Sequence, residues 1–246
     1  MSNDKSKKAK RKILDAYTDY SARGNTQAKI EQYKSLLDYI KKDCRDEFIE
    51  ALDKDMYDSK ELINQEVEYL IDDIEENYPK IYSCDSQELS RLYNYNHGLL
   101  IPEDLKSLYK DIGFFSVGSD HTGLDIFNPK RVFFEKGFNT FILDADYFNG
   151  FRQFVGKDKC DFLEKNYCFI GTARRYMEHF YILFEKSGRG FITLSLEEDD
   201  LSETMDEDVD SLCNLDTAKF CSLDETLTQG FFEATHGLLH SLGLDS

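Results

Sequence analysis

The sequence predicts an α+β fold, with a helical extension ahead of a domain that contains a sheet. Three observations support this class. Apolar residues recur at helical spacing until about Tyr78, whereas after Tyr82 glycine becomes frequent and the apolar runs shorten to strand length. Helical spacing then returns from Ser222. Separate groups of helices and strands along one chain are typical of α+β proteins.

The extension is predicted to contain a basic tail and two helices. Residues 1–12 carry six basic residues and one acidic residue, and we expect a flexible tail there. Residues 13–58 form the N-terminal helical extension, in which an interruption at residues 23–26 separates a short helix from a long one. Thr26 is the expected N-cap of the long helix. The apolar stripe of that helix consists of Ile30, Tyr33, Leu37, Ile40, Cys44 and Phe48.

The α+β domain is predicted to span residues 59–246 and to begin with a third helix, from Ser59 to Tyr78. Pro79 follows it and cannot continue a helix. The polar positions of this helix are mostly acidic, which is the usual composition of a solvated helix face. Its apolar stripe consists of Ile63, Val67, Leu70, Ile71, Ile74 and Tyr78.

The next part of the domain is predicted to contain a short helix and two strands. Pro102 suits the first turn of a helix, and Gly113 is expected to end it. Leu124–Phe127 and Arg131–Phe134 are apolar runs of strand length, and the pair Asn128-Pro129 between them is typical of a turn.

Three further strands and a closing helix complete the prediction. The strands are Tyr167–Ile170, Phe180–Glu185 and Gly190–Leu196, and the last two flank a hairpin loop at residues 186–189. The closing helix is capped by Ser222 or Asp224. Its apolar positions are Leu223, Leu227, Phe231, Leu238 and Leu242.

The charge balance restricts the classes of partner. The 246 residues include 30 basic and 48 acidic ones, which gives a formal net charge of −18. Nucleic acids and anionic membrane surfaces are bound through cations, so neither is an expected partner. The basic tail carries +5, and the remaining 234 residues therefore carry −23.

The location is expected to be cytoplasmic. The sequence has no run of 18 apolar residues, and no apolar segment follows the basic start as it would in a signal peptide. The six cysteines are sparse and include no C-x-x-C pair, so we expect reduced and mostly buried thiols. They are Cys44, Cys84, Cys160, Cys168, Cys213 and Cys221.

The segment from Glu197 to Asp210, here called the acidic segment, is the most biased part of the sequence. Nine of its fourteen residues are acidic and none is basic. Such a segment is expected to be an exposed loop. It either serves solubility or binds a basic protein partner, and it lacks the alternating pattern of a calcium loop. The candidate partner-binding residues are Glu197, Glu198, Asp199, Asp200, Glu203, Asp206, Glu207, Asp208 and Asp210.

No motif indicates catalysis or a cofactor. The sequence has no G-x-S-x-G, no catalytic cysteine signature, no P-loop and no G-x-G-x-x-G. Glu233, His236 and His240 could share one face of the closing helix and bind a metal, but the order H-E-x-x-H is missing. Histidines near a helix C-terminus are also favoured by the helix dipole alone. The sequence therefore predicts a non-enzyme that binds neither metal nor cofactor.

Five short motifs follow one another between Ser86 and Leu242, and each is an apolar pattern built around a proline, a glycine or a turn. They are Leu100–Tyr109, Leu124–Lys130, Phe169–Gly171, Tyr181–Phe184 with the hairpin Gly188–Gly190, and Phe220–Leu227. Their order resembles the SUKH superfamily, also called the SMI1/KNR4 family. Its characterised bacterial members include immunity proteins against polymorphic toxins.

The resemblance implies a central, mostly antiparallel sheet flanked by helices, and no catalytic residues. It also implies one function above others: an immunity protein that neutralises a cognate toxin, such as a nuclease with a basic cleft, through an acidic surface. The alternative is a regulatory or scaffold protein of the same fold, whose N-terminal helices mediate oligomerisation. The sequence does not identify the partner or the oligomeric state.

Overall fold

A six-stranded sheet forms the centre of the structure, a computed structural model, and its strands lie side by side in chain order. Every neighbouring pair is antiparallel, which confirms the predicted sheet. The strands are β1 Lys80–Tyr82, β2 Phe114–Gly118, β3 Thr122–Ile126, β4 Tyr167–Arg175, β5 Glu178–Glu185 and β6 Phe191–Glu197. The structure describes residues 22, 24–43, 65, 68–69, 72, 74–94, 100–119, 122–134, 155–175, 178–197 and 209–241.

Helices flank the sheet, as the α+β class predicts. The helices are α1 Thr26–Asp43, α2 Ser86–Tyr93, α3 Glu103–Asp111, α4 Lys157–Asn166 and α5 Leu223–Ser241. Helical residues are also found between residues 65 and 76 and at 209–213.

The side chains of the sheet alternate between two hydrophobic clusters. In β5, Ile182 and Phe184 belong to the first cluster, whereas Tyr181 and Leu183 belong to the second. This alternation follows from the two-residue period of a strand and shows that the sheet is buried on both sides at β5. The first cluster also contains apolar residues of α1, α3 and α5. The second cluster consists of Val155, Cys160, Leu163, Tyr167, Tyr181, Leu183, Leu194, Val209 and Leu212.

Helix α1 buries its predicted apolar stripe in the first cluster. Ile30, Tyr33, Leu37 and Ile40 are at most 1% exposed, while Cys44 and Phe48 lie outside the described residues. The cap differs from the prediction: the side chain of Asn25, not Thr26, accepts a hydrogen bond from the Ala28 amide (3.0 Å). Asparagine at this position satisfies one of the free amides of the first turn.

The end of the predicted third helix packs against α1. Ile74 is fully buried, and Tyr78 donates a hydrogen bond to the carboxylate of Asp38 on α1 (2.6 Å). Lys41 of α1 also forms an ion pair with Glu75. The part of the predicted extension that lies in α1 thus shares a core with the sheet domain.

The prediction of a strand at Arg131–Phe134 is wrong, because Lys130–Phe134 forms a π-helical turn. Asn128 starts this turn: its side chain accepts from the Lys130 amide (2.7 Å) and its carbonyl accepts from the Val132 amide (3.1 Å). Val132 and Phe133 are buried in the first cluster. A short apolar run fits a buried helical turn as well as a strand, so its pattern cannot decide between them.

Helix α5 lies across the first-cluster face of the sheet and against α1. Two of its glycines make a close approach possible. A Cβ atom on Gly230 would lie 2.8 Å from Leu124 Cδ1, and one on Gly237 would lie 2.8 Å from Thr122 Cβ. The absence of side chains at these positions therefore sets the distance between the helix and β3.

Candidate protein-binding site

The two ends of the acidic segment are fixed to the folded domain. At its start, Glu197 is the last residue of β6 and pairs with Glu178 of β5. At its end, Val209 is fully buried and begins a helical turn, followed by Leu212, which is 2% exposed. The remaining acids of the segment, Glu198, Asp199, Asp200, Glu203, Asp206, Glu207 and Asp208, lie outside the described residues.

Tyr167 holds the carboxyl end of the acidic segment in place. Its hydroxyl donates a hydrogen bond to the carbonyl of Leu212 (2.7 Å). Burial, followed by the negative charge of Glu185, raises the pKa of Tyr167 well above its usual range, so the hydroxyl remains a donor. Val209 and Leu212 both pack into the second cluster. Apolar burial and a buried hydrogen bond therefore attach this end.

The two attachment points lie at opposite ends of the same strand. Glu197 pairs with Glu178, the first residue of β5, whereas Tyr167 pairs with Glu185, the last. Eight residues of strand correspond to about 23 Å between the first and last Cα atoms. The chain is thus attached at one end of β5 through Glu197 and, two residues beyond the acidic segment, to Tyr167 beside the other end of β5 through Leu212.

Asp210 is the one acid of the segment whose side chain the structure describes. It forms a 2.7 Å ion pair with Lys159 of α4, and 59% of its side chain is exposed. An exposed pair of this kind stabilises the fold by about 0.2–1 kcal/mol. Asp210 therefore remains accessible to a partner while it lies beside one cation.

The set of Glu233, His236 and His240, which was weighed as a metal site from the sequence and not adopted, is only partly described by the structure. Among the residues whose side chains are described, no group of three His, Cys, Asp or Glu side chains is arranged to hold a metal ion. The carboxylate of Glu233 lies 3.4 Å from the guanidinium of Arg175 and accepts a hydrogen bond from Gln229. His236 is half-buried and its Nδ1 has no hydrogen-bond partner, and the side chain of His240 lies outside the described residues.

The described cysteines are all free thiols, but burial is less general than predicted. Cys160 and Cys168 are buried, Cys84 and Cys213 are half-buried and Cys221 is exposed. Burial raises the pKa of Cys168 to about 12, and burial followed by Glu88 and Asp85 raises that of Cys84 to about 12. Thiols with such pKa values are poor nucleophiles at neutral pH.

A groove of about 500 Å³ lies where three distant parts of the chain meet. The N-terminus of α1, one side of α3 and the N-terminus of α5 form its walls. It is lined by Asn25, Thr26, Gln27, Asp104, Ser107, Leu108, Asp111, Ile112, Ser222, Leu223 and Asp224. Three aspartates and no cation are among these residues, so the lining is negatively charged.

A buried lysine joins two walls of this groove. Lys29 is completely buried; its ammonium donates to the carbonyl of Gly24 (2.7 Å) and to the carboxylate of Asp224 at the start of α5. This contact was not predicted from the sequence. The sequence nevertheless indicates it, because Lys29 precedes Tyr33 by four residues and thus lies on the apolar face of α1. A lysine on such a face is buried only when it is paired.

No family model, curated protein or solved structure matches the chain. Within the described ranges, no helix is long and apolar enough to cross a membrane.

Proposed function

We propose that the chain is an immunity protein, which binds a cognate toxin through the acidic segment and thereby blocks the toxin's basic active-site cleft. The attachment of both ends of the acidic segment to the folded domain carries this proposal. Because Glu197 pairs within the sheet and Val209 is buried, both ends of the segment are held by the folded domain, and a segment with fixed ends loses less conformational entropy on binding. The net charge of −18 and the resemblance of the sequence motifs support the same function.

The chemistry of the partner follows from the charge. Nine acids in fourteen residues repel one another, and a surface rich in lysine and arginine would remove that repulsion on binding. Nuclease clefts carry such cations because they bind the phosphates of their substrate. The acidic segment would occupy the place of the polyanion, and its field would also accelerate encounter with the toxin.

The test uses the toxin domain encoded by the neighbouring gene. We expect tight binding in calorimetry, loss of toxicity on co-expression, and an association rate that falls about tenfold or more between low and high salt. Neutralising three acids of the segment should weaken binding about tenfold or more. That variant is Glu203→Gln, Glu207→Gln and Asp208→Asn.

A matched control removes the same number of charges from exposed positions elsewhere and should change the affinity less than about threefold. It carries Glu68→Gln, Asp72→Asn and Glu76→Gln, all at exposed residues. Toxicity that persists on co-expression, together with no measurable binding, would refute the proposal. Equal effects of the two variants would show that total charge, not the acidic segment, determines binding.

The scaffold function remains the alternative prediction. In α1, the side chains of Ile30, Tyr33, Leu37 and Ile40 are buried within their own chain. An oligomer formed by the N-terminal helices would therefore have to use other residues.

A further inference from the structure

The charge of the groove between α1, α3 and α5 determines which ligand it can accept. Asp104, Asp111 and Asp224 line it. Lys29 pairs with Asp224 and is completely buried, so it offsets the charge of Asp224 but is not accessible to a ligand. Among the residues that line the groove, no cation compensates Asp104 and Asp111, so this lining repels an anion and attracts a cation.

The helix N-termini in the walls do not reverse this preference. The N-termini of α1 and α5 would attract an anion if their amides were free. In α1 the side chain of Asn25 already accepts from the Ala28 amide (3.0 Å). In α5 the hydroxyl of Ser222 accepts from the Glu225 amide (3.2 Å), and Glu225 places a further carboxylate at this terminus. Side chains of the protein therefore already occupy capping positions at both termini.

The shape and lining of the groove favour a long cationic side chain over a simple ion. Leu108, Ile112 and Leu223 contribute apolar atoms to the lining, and Asp104 and Asp111 contribute carboxylates on the same helix, α3. Arginine combines an apolar stem with a planar charged head that donates several hydrogen bonds. The stem can cover the apolar atoms while the head reaches the carboxylates.

The geometry points to this groove as the docking site for an arginine side chain of the protein partner, an inference that rests on the proposed function. Charge complementarity between the acidic lining and the basic cleft proposed for the toxin supports it. The groove and the carboxyl end of the acidic segment belong to opposite faces of the sheet, because Leu108 and Leu223 pack into the first cluster whereas Val209 and Leu212 pack into the second. A partner that engages both sites must therefore reach around the edge of the sheet.

The first experiment is independent of the partner. The intact ¹⁵N-labelled chain is titrated with N-acetyl-arginine amide and, separately, with inorganic phosphate, and backbone amide shifts are followed. We expect saturable shifts at Thr26, Gln27 and Ser107 with the arginine compound and none with phosphate. The double variant Asp104→Asn, Asp111→Asn should lose them, and the control Asp72→Asn, Glu76→Gln should retain them. Saturable shifts with phosphate, or arginine shifts spread over all acidic surfaces, would overturn the inference.

The second experiment uses the toxin domain encoded next to this chain and separates the two proposals. We expect the Asp104→Asn, Asp111→Asn variant to bind it about tenfold more weakly, and the Asp72→Asn, Glu76→Gln control to bind it like the wild type. Equal affinities of both variants would overturn the groove as docking site and leave the immunity function intact. Arginine binding in the groove without any toxin binding would reject the immunity function alone. Thermal unfolding of each variant verifies that it is folded.

Discussion

Removal of either partner of the Lys29–Asp224 pair should cost very different amounts of stability. Lys29 is 0% exposed, whereas 65% of the Asp224 side chain is exposed. When Lys29 is replaced by methionine, the carboxylate of Asp224 that remains is already solvated. The methionine side chain fills the buried space that the apolar part of the lysine occupied. When Asp224 is replaced by alanine, a buried ammonium remains whose other described acceptor is the Gly24 carbonyl.

The magnitudes follow from these exposures. An uncompensated charge in a fully buried pair costs about 3–5 kcal/mol, and the exposure of Asp224 reduces this to about 2–3 kcal/mol for Asp224→Ala. For Lys29→Met we expect about 0–1.5 kcal/mol, because an apolar side chain of similar length often replaces a buried ion at little cost. In the Lys29→Met background, Asp224→Ala should cost at most about 1 kcal/mol, which is the interaction of an acid with the first turn of a helix.

Urea unfolding of the wild type, the two single variants and the double variant measures these values as a thermodynamic cycle. The interaction free energy should be about 1–2 kcal/mol. The slope of the free energy of unfolding against urea concentration should be the same for all four proteins. The reasoning fails if Lys29→Met destabilises the chain as much as Asp224→Ala does. It also fails if the two effects add within about 0.5 kcal/mol.

Three further changes test other contacts. Tyr78→Phe removes the hydrogen bond to Asp38 and should cost about 0.5–1.5 kcal/mol at neutral pH; burial first, and then Asp38, raise the pKa of Tyr78 from 10.0 to about 12. The folded state therefore binds this proton more tightly, so the advantage of the wild type over Tyr78→Phe should be complete below pH 10 and decline toward about pH 12 in urea unfolding. Gly237→Ala should destabilise by about 1–2 kcal/mol despite the better helix propensity of alanine, because its methyl group would meet Thr122; a stabilised variant in thermal unfolding would contradict this. Phe231→Ala empties a fully buried site and should cost about 3–5 kcal/mol by urea unfolding, and a loss below about 1 kcal/mol would show that the site collapses.

The elements predicted from the sequence are those whose local pattern agrees with their final surroundings. The described residues of the predicted stripes of α1 and α5 are buried where the helical spacing places them, while Leu242 lies outside the described residues. The β5–β6 hairpin has its turn at residues 186–189. Strand β1 was missed because it has three residues, all exposed, and therefore no pattern. Strand β2 was missed because its short apolar run follows directly after a helix and Gly113.

Other omissions have different causes. Helix α2 carries a capping box formed by Asp85 and Glu88. This pattern is visible in the sequence and indicates the start of a helix. Helix α4, Lys157–Asn166, contains six charged residues and only three apolar ones, so its stripe is weak. The groove could not be predicted at all, since its walls come from residues 25–27, 104–112 and 222–224 and only the tertiary fold brings them together.

The position of α5 has a consequence for the order in which the chain acquires its structure during synthesis. The six strands pair in chain order, so the sheet can form by successive pairings as the chain is synthesised. Its first-cluster face is covered by residues 223–241, which leave the ribosome after all six strands. Until then Leu124, Ile126 and Phe184 would lack part of their packing, and we expect a chain that ends at Ser222 to bind hydrophobic dyes and to be degraded rapidly. The hydrophobic surface of the finished sheet would thus be protected only when a single helix, synthesised after it, has docked.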